Sequence, residues 1–154
     1  MKFKKSFTLS TLLLSIFIFG QKKNEFDLSV FPKAKAGFEE KIIPIDRASN
    51  NIRIELFVST TKAVDTCNKF TLLGNFEQKT LRDWRYNYYE FKTKGQVEGE
   101  YICPYDNNKV EKVIYAQSKI IDNYDNSPVV VYIPNGYSLE YKIWKTNDKL
   151  LSVQ

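Results

Sequence analysis

The chain has 154 residues, with 23 Lys+Arg against 18 Asp+Glu and no histidine. The missing histidine removes Ser-His-Asp and Cys-His nucleophile arrangements and most metal sites. Of the formal charge of +5, Lys2, Lys4 and Lys5 carry three units at the extreme N-terminus; without them +2 remains. So small a surplus gives no electrostatic footprint for nucleic acid or an anionic membrane.

Those three lysines precede an apolar run over residues 12–19, the layout of a secretory signal peptide. The run is too short to span a bilayer as a helix, so no membrane association is expected after cleavage. Cutting after Gly20 leaves 134 residues, the size of one domain. No cysteine stands at the junction, which argues against a bacterial lipoprotein. The expected division is residues 1–20 as signal peptide, 21–30 as a loose N-terminal segment and 31–154 as one domain. A domain of that size buries roughly two-thirds of its unfolded surface.

Beyond residue 42 the pattern is that of strands. Ile52, Ile54, Leu56 and Val58 fall on one face, with Arg53 and Glu55 between them, the period of a half-buried strand. Trp84, Tyr86 and Tyr88 alternate with Arg85 and Asn87 in the same way, and half of these rings are expected to face the core. Residues 92–100 have almost no apolar content and read as a loop, as do residues 121–127 before Pro128. Residues 110–116 and 129–133 are β-branched runs. Asn135-Gly136 stands between residues 129–133 and the alternating Tyr137, Leu139, Tyr141 and Ile143, which predicts a hairpin. No stretch after the signal peptide reads as an amphipathic helix. The expected fold is an all-β, single-domain antiparallel sandwich or partly open barrel.

Two cysteines in an exported chain most simply pair with each other, and Cys67 and Cys103 would close a loop of 36 residues. The chain-entropy model gives such a loop about 3.8 kcal/mol. Zinc is the alternative, but two Cys and no His leave its ligand set incomplete. No glycine-rich phosphate cradle follows a strand, and nothing singles out two of the 18 acids as a glycosidase pair. No cofactor is implied, and an enzyme is not expected. The aromatic cluster offers a further reading, a carbohydrate-binding module stacking sugars on Trp84 and Tyr86.

From Cys67-Asn68 through Gln78-Lys79-Thr80-Leu81-Arg82-Asp83-Trp84-Arg85-Tyr86-Asn87-Tyr88-Tyr89-Glu90-Phe91 the sequence resembles the ecotin family of bacterial periplasmic serine protease inhibitors. Phe31-Pro32-Lys33-Ala34 with Gly37, Val64-Asp65-Thr66-Cys67-Asn68, Cys103-Pro104, Pro128-Val129-Val130-Val131-Tyr132-Ile133-Pro134 and Tyr141-Lys142-Ile143-Trp144-Lys145 continue the likeness in order. It runs from Phe31 to about Leu150.

The resemblance implies a substrate-like inhibitor of chymotrypsin-fold serine proteases, located in a Gram-negative periplasm. The reactive bond of the family falls on Glu100–Tyr101, with Glu98, Gly99 and Ile102 as its neighbours. Asn68, Lys69 and Phe70 match the supporting loop, and the disulfide holds the reactive segment in one conformation. A second protease contact maps onto Trp84, Arg85, Tyr86 and Asn87, and onto Asp122, Asn123, Tyr124, Asp125 and Asn126. The family dimerises by exchanging C-terminal strands, which puts Trp144 at a subunit interface. The departure from the family is Glu100, where Met is typical. A carboxylate meets like charge in an Asp-floored pocket and is desolvated unpaired in an apolar one. A shifted register would offer Tyr101 instead. The alternative is an ecotin-like fold that binds proteins or carbohydrate without inhibiting.

Overall fold

The computed structural model describes residues 26–45, 52–102, 108–123, 127–145 and 152. They form eight strands: β1 (Phe38–Ile43), β2 (Ile52–Asp65), β3 (Phe70–Thr80), β4 (Asn87–Gly99), β5 (Lys109–Tyr115), β6 (Lys119–Asn123), β7 (Val129–Pro134) and β8 (Ser138–Lys145). A single 3-10 turn at Leu28–Val30 is the only helical element among the described residues. The strands make two four-stranded sheets that are not closed into a barrel, as an all-β sandwich requires. One sheet runs β1-β7-β4-β3. In the other, β2 is central. It pairs β8 along one edge, and β6 and β5 follow end to end along the opposite edge.

The alternation in β2 is borne out. Ile52, Ile54, Leu56 and Val58 are at most 3% exposed and share one core with Phe91, Val131 and Ile133 of the facing sheet. β7 is different, with five consecutive buried residues. Val129, Val131 and Ile133 face the main core, whereas Val130 and Tyr132 face a second cluster under Phe31. A run without alternation belongs to a strand covered on both faces.

Four local expectations are corrected. The Asn135-Gly136 turn forms, with Gly136 at φ +84 and the Tyr137 N–H donating to the Pro134 carbonyl at 3.3 Å. It does not make a hairpin. Both edges of β7 are taken, by β1 and β4, so the chain arches across and β8 pairs β2 in the other sheet. The β4–β7 pair is parallel over residues 88–90; β5 and β6, lying in the facing sheet, supply the crossover that parallel neighbours need.

Trp84, Arg85 and Tyr86 lie in the connection between β3 and β4, not in a strand. The Trp84 and Arg85 N–H groups both donate to the Leu81 carbonyl, at 3.2 and 2.8 Å, and the Leu81 N–H donates to the Tyr86 carbonyl at 2.8 Å. Conversely, residues 92–99 are no loop but the second half of β4, paired with β3. Half-buried Thr93, Gly95 and Val97 alternate there with exposed lysines, Gln96 and Glu98. Residues 121–123, also expected in a loop, end β6.

Residues 26–30 carry the 3-10 turn, capped by the Asp27 carboxylate, which accepts from the Ser29 N–H at 2.9 Å. The segment expected to be cleaved lies outside the described residues, as does residue 21–25. No helix among the described residues is long and apolar enough to cross a membrane.

Candidate functional site

β3 and β4 form one long hairpin whose ends carry the two candidate contacts. At the far end of β4 the chain leaves the sheet after Gly99, and Glu100, Tyr101 and Ile102 are all exposed, Ile102 at 92%. Facing them is the short connection from β2 to β3, residues 66–69. Asn68 is 7% exposed, and its side chain grips one residue of the exposed segment twice. The Tyr101 N–H donates to Asn68 Oδ1 at 3.0 Å, and Asn68 Nδ2 donates to the Tyr101 carbonyl. One residue earlier, the Glu100 N–H donates to the Lys69 carbonyl at 3.0 Å. A side-chain amide here takes the part of a neighbouring strand and holds the backbone of Tyr101 without a third strand.

The gripping residue is itself fixed. Its N–H donates to Asp65 Oδ1 at 3.0 Å, a local side-chain-to-backbone bond that closes the connection. Lys112 on β5 reaches over and donates to the Thr66 and Asn68 carbonyls, each at 3.1 Å. Gly99 makes the close approach possible: a Cβ there would stand 2.5 Å from Asn68 Nδ2 and 3.1 Å from the Phe70 ring. Asp65 and Lys112 were not singled out from the sequence, since nothing local marks a support contributed by another strand. Cys67 is exposed beside this site, and Cys103 lies outside the described residues.

At the other end of the hairpin, Trp84 is 57% exposed at the tip of the β3–β4 connection. Arg85 has φ +56, the one left-handed non-glycine among the described residues. Tyr86 is half-buried, its ring packed against Phe26 at 4.9 Å and Phe31 at 6.4 Å. Trp84 alone is thus an open ring surface there, and Asn87 begins β4. Asp122 is exposed at the end of β6, paired with Arg53 at 2.8 Å. Asn123 closes that strand opposite Ile52, and Tyr124, Asp125 and Asn126 lie outside the described residues.

Between the two ends sits a buried carboxylate. Glu90 of β4 is 6% exposed and pairs with Lys79 of β3 and, at 3.2 Å, with Lys35 of the N-terminal segment. The hydrogen bond from Lys79, against the opposing effect of burial, holds the Glu90 carboxyl below the usual carboxylate range. Burial, with Glu40 beside it, pushes the Tyr132 hydroxyl well above its ordinary value, and that hydroxyl donates to the Pro32 carbonyl at 2.5 Å. Among the described residues there is no cluster of acids, Cys or His fit to hold a metal.

The sequence model of the ecotin family matches residues 27–146. An ecotin of Pseudomonas putida (strain W619) is 31% identical over 126 residues, which cover 79% of this chain and 78% of that protein. One of Serratia proteamaculans (strain 568) is 31% identical over 123 residues, or 77% and 72%. One of Pseudomonas fluorescens (strain Pf0-1) is 28% identical over 148 residues, or 93% and 91%. The chain belongs to the ecotin family, a family of protease inhibitors and not of enzymes.

Proposed function

We propose that the chain is a substrate-like, tight-binding inhibitor of serine proteases that offers Glu100–Tyr101 as its reactive bond. The observation that carries this reading is that the backbone is held on both sides of that bond. Glu100 is tied through its N–H to Lys69, and Tyr101 through both its N–H and its carbonyl to Asn68. A segment ordered before binding loses little entropy on entering a protease cleft.

The same bonds account for slow turnover. The protease serine attacks the Glu100 carbonyl carbon, and the Tyr101 nitrogen leaves as an amine. Asn68 keeps that amine beside the acyl-enzyme, so attack by the amine, which remakes the peptide bond, competes with attack by water. A Cys67–Cys103 disulfide adds a covalent tether one residue beyond Ile102. In support of it, no described cysteine is free.

The hairpin sets the spacing of the contacts. Ten residues of β3 separate its paired ends, roughly 33 Å of strand. Reactive segment and distal loop therefore point away from each other on one chain, and a protease gripped by both is held by two subunits. The apolar side of β8 supports such a dimer. Tyr141 and Ile143 lie on the core side by register with Leu56 and Ile54, yet are 45% and 44% exposed, and Trp144 is 51% exposed on the opposite side. Exchange of β8 between two copies in a Gram-negative periplasm completes this reading.

The test is a panel of serine proteases, glutamate-specific ones included, titrated with the chain, followed by mass spectrometry of the recovered inhibitor. Inhibition near one site per protease, with any slow cut between Glu100 and Tyr101, is expected. Glu100→Met should strengthen inhibition of chymotrypsin and Glu100→Arg that of trypsin. No gain in either assay sinks the assignment of Glu100 as the pocket residue.

A further inference from the structure

Arg85 occupies a left-handed backbone position at φ +56, which a residue with a Cβ keeps only where its surroundings hold it. One hold is the hydrogen bonding that closes residues 81–86 on themselves. The other is the Tyr86 ring. Phe31, fixed in the second core with Val130 and Tyr132, supplies one neighbour at 6.4 Å. Phe26 supplies the nearer one at 4.9 Å, edge to face at 65°, and it also packs on Phe31 at 6.1 Å.

Phe26 belongs to no strand. It is seated by the Asp27-capped turn that follows it, and the segment beyond is pinned to the sheet twice. The Tyr132 hydroxyl donates to the Pro32 carbonyl, and Lys35 pairs with buried Glu90.

We propose that Phe26 is a positioning residue for the distal protease contact. By closing the ring cluster over Tyr86, it keeps Arg85 in its strained conformation and Trp84 at the exposed tip. Residues 26–35 are then a working part of the binding surface rather than a spacer left behind by export. This rests on the reading that Trp84 and Arg85 touch the protease, and the experiment separates the two.

Amide hydrogen exchange by NMR on the whole chain comes first. Phe26→Ala should speed exchange of the Trp84 and Arg85 amides about tenfold, leave the Ile54 and Val131 amides unchanged, and be rescued by Phe26→Tyr. Unchanged exchange at Trp84 and Arg85, or an equal rise at all four, overturns the proposal. Affinity for whichever panel protease the wild-type chain inhibits best comes second. Phe26→Ala should weaken it about five- to tenfold in the wild-type background and not at all in a Trp84→Ala background, as coupled residues behave. A full additional loss in that background overturns the proposal. If Trp84→Ala alone changes nothing, the distal contact itself is overturned, and with it any role of Phe26 there, while the exchange data still report whether Phe26 orders the loop.

Discussion

The two ends of the β3–β4 hairpin are held in opposite ways. The proposed reactive end is backbone gripped by polar groups: Asn68, Lys69 and, behind them, Asp65 and Lys112. The distal end is a strained turn clamped by rings, with Arg85 left-handed and Tyr86 packed against both Phe26 and Phe31. Hydrogen bonds have direction, so they can fix individual atoms on either side of one peptide bond. Ring packing has little direction and fixes a loop as a body. On the proposed function, each end has the restraint that its task requires.

Breaking the polar grip should have the largest effect. Asn68→Ala removes both bonds to Tyr101, each worth about 1 kcal/mol, and the freed segment must then be ordered on binding. We expect inhibition to weaken roughly 30- to 100-fold and cleavage at Glu100–Tyr101 to accelerate, read by inhibition constants and mass spectrometry. Gly99→Ala attacks the same grip from the other side, because its Cβ would sit 2.5 Å from Asn68 Nδ2. About a tenfold loss is expected, and no further loss once Asn68 is already alanine. An additive double mutant would show that Gly99 acts independently of Asn68.

The tie between the ends is Glu90. Its folded pKa lies below the ordinary value, so its contribution is complete above about pH 4.3 and is lost as the pH falls through the depressed value. Wild type should therefore lose melting temperature on acidification more steeply than Glu90→Gln, with the two curves converging in acid. Parallel curves would mean that the pairs with Lys79 and Lys35 contribute nothing. The smallest effect is expected at the strained turn. Arg85→Gly relieves the left-handed strain but widens the unfolded ensemble, for a net gain of about 0.5 kcal/mol. Thermal melts should show a small rise while inhibition weakens through the lost guanidinium.

Sequence pattern alone made the first half of β2 legible, because Ile52, Ile54, Leu56 and Val58 are aliphatic and buried, with Arg53 and Glu55 between them. It failed wherever pairing across space overrides local chemistry. Trp84, Tyr86 and Tyr88 alternate as a strand does, yet Leu81 captures the backbone of the first two positions into a turn. Residues 92–99 look like a loop, yet β3 pairs with them on both sides of an irregularity opposite Leu73. β3 itself, with Thr71, Gly74 and Glu77 breaking its pattern, gave no signal. The Asn135-Gly136 turn was visible but not its destination. A hint lay in residues 129–133, an unbroken apolar run that suits the middle of a sheet rather than one arm of a ribbon. The proposed reactive segment was legible only by resemblance, since Asn68 and Tyr101 are 33 residues apart.

The arch at Asn135-Gly136 also bears on how the chain comes to be folded. β2 is among the first strands to emerge during synthesis, and β8, which covers its Ile52-to-Ser59 edge, is the last. Until then a long aliphatic strand waits with one side open, and its missing partner lies roughly eighty to ninety residues downstream. Such a closure is slow because the loop must be drawn in before any pairing rewards it, and an open strand edge recruits whatever strand is nearest. Damage to β8 should therefore show up as aggregated product during synthesis more than as a weakened folded molecule.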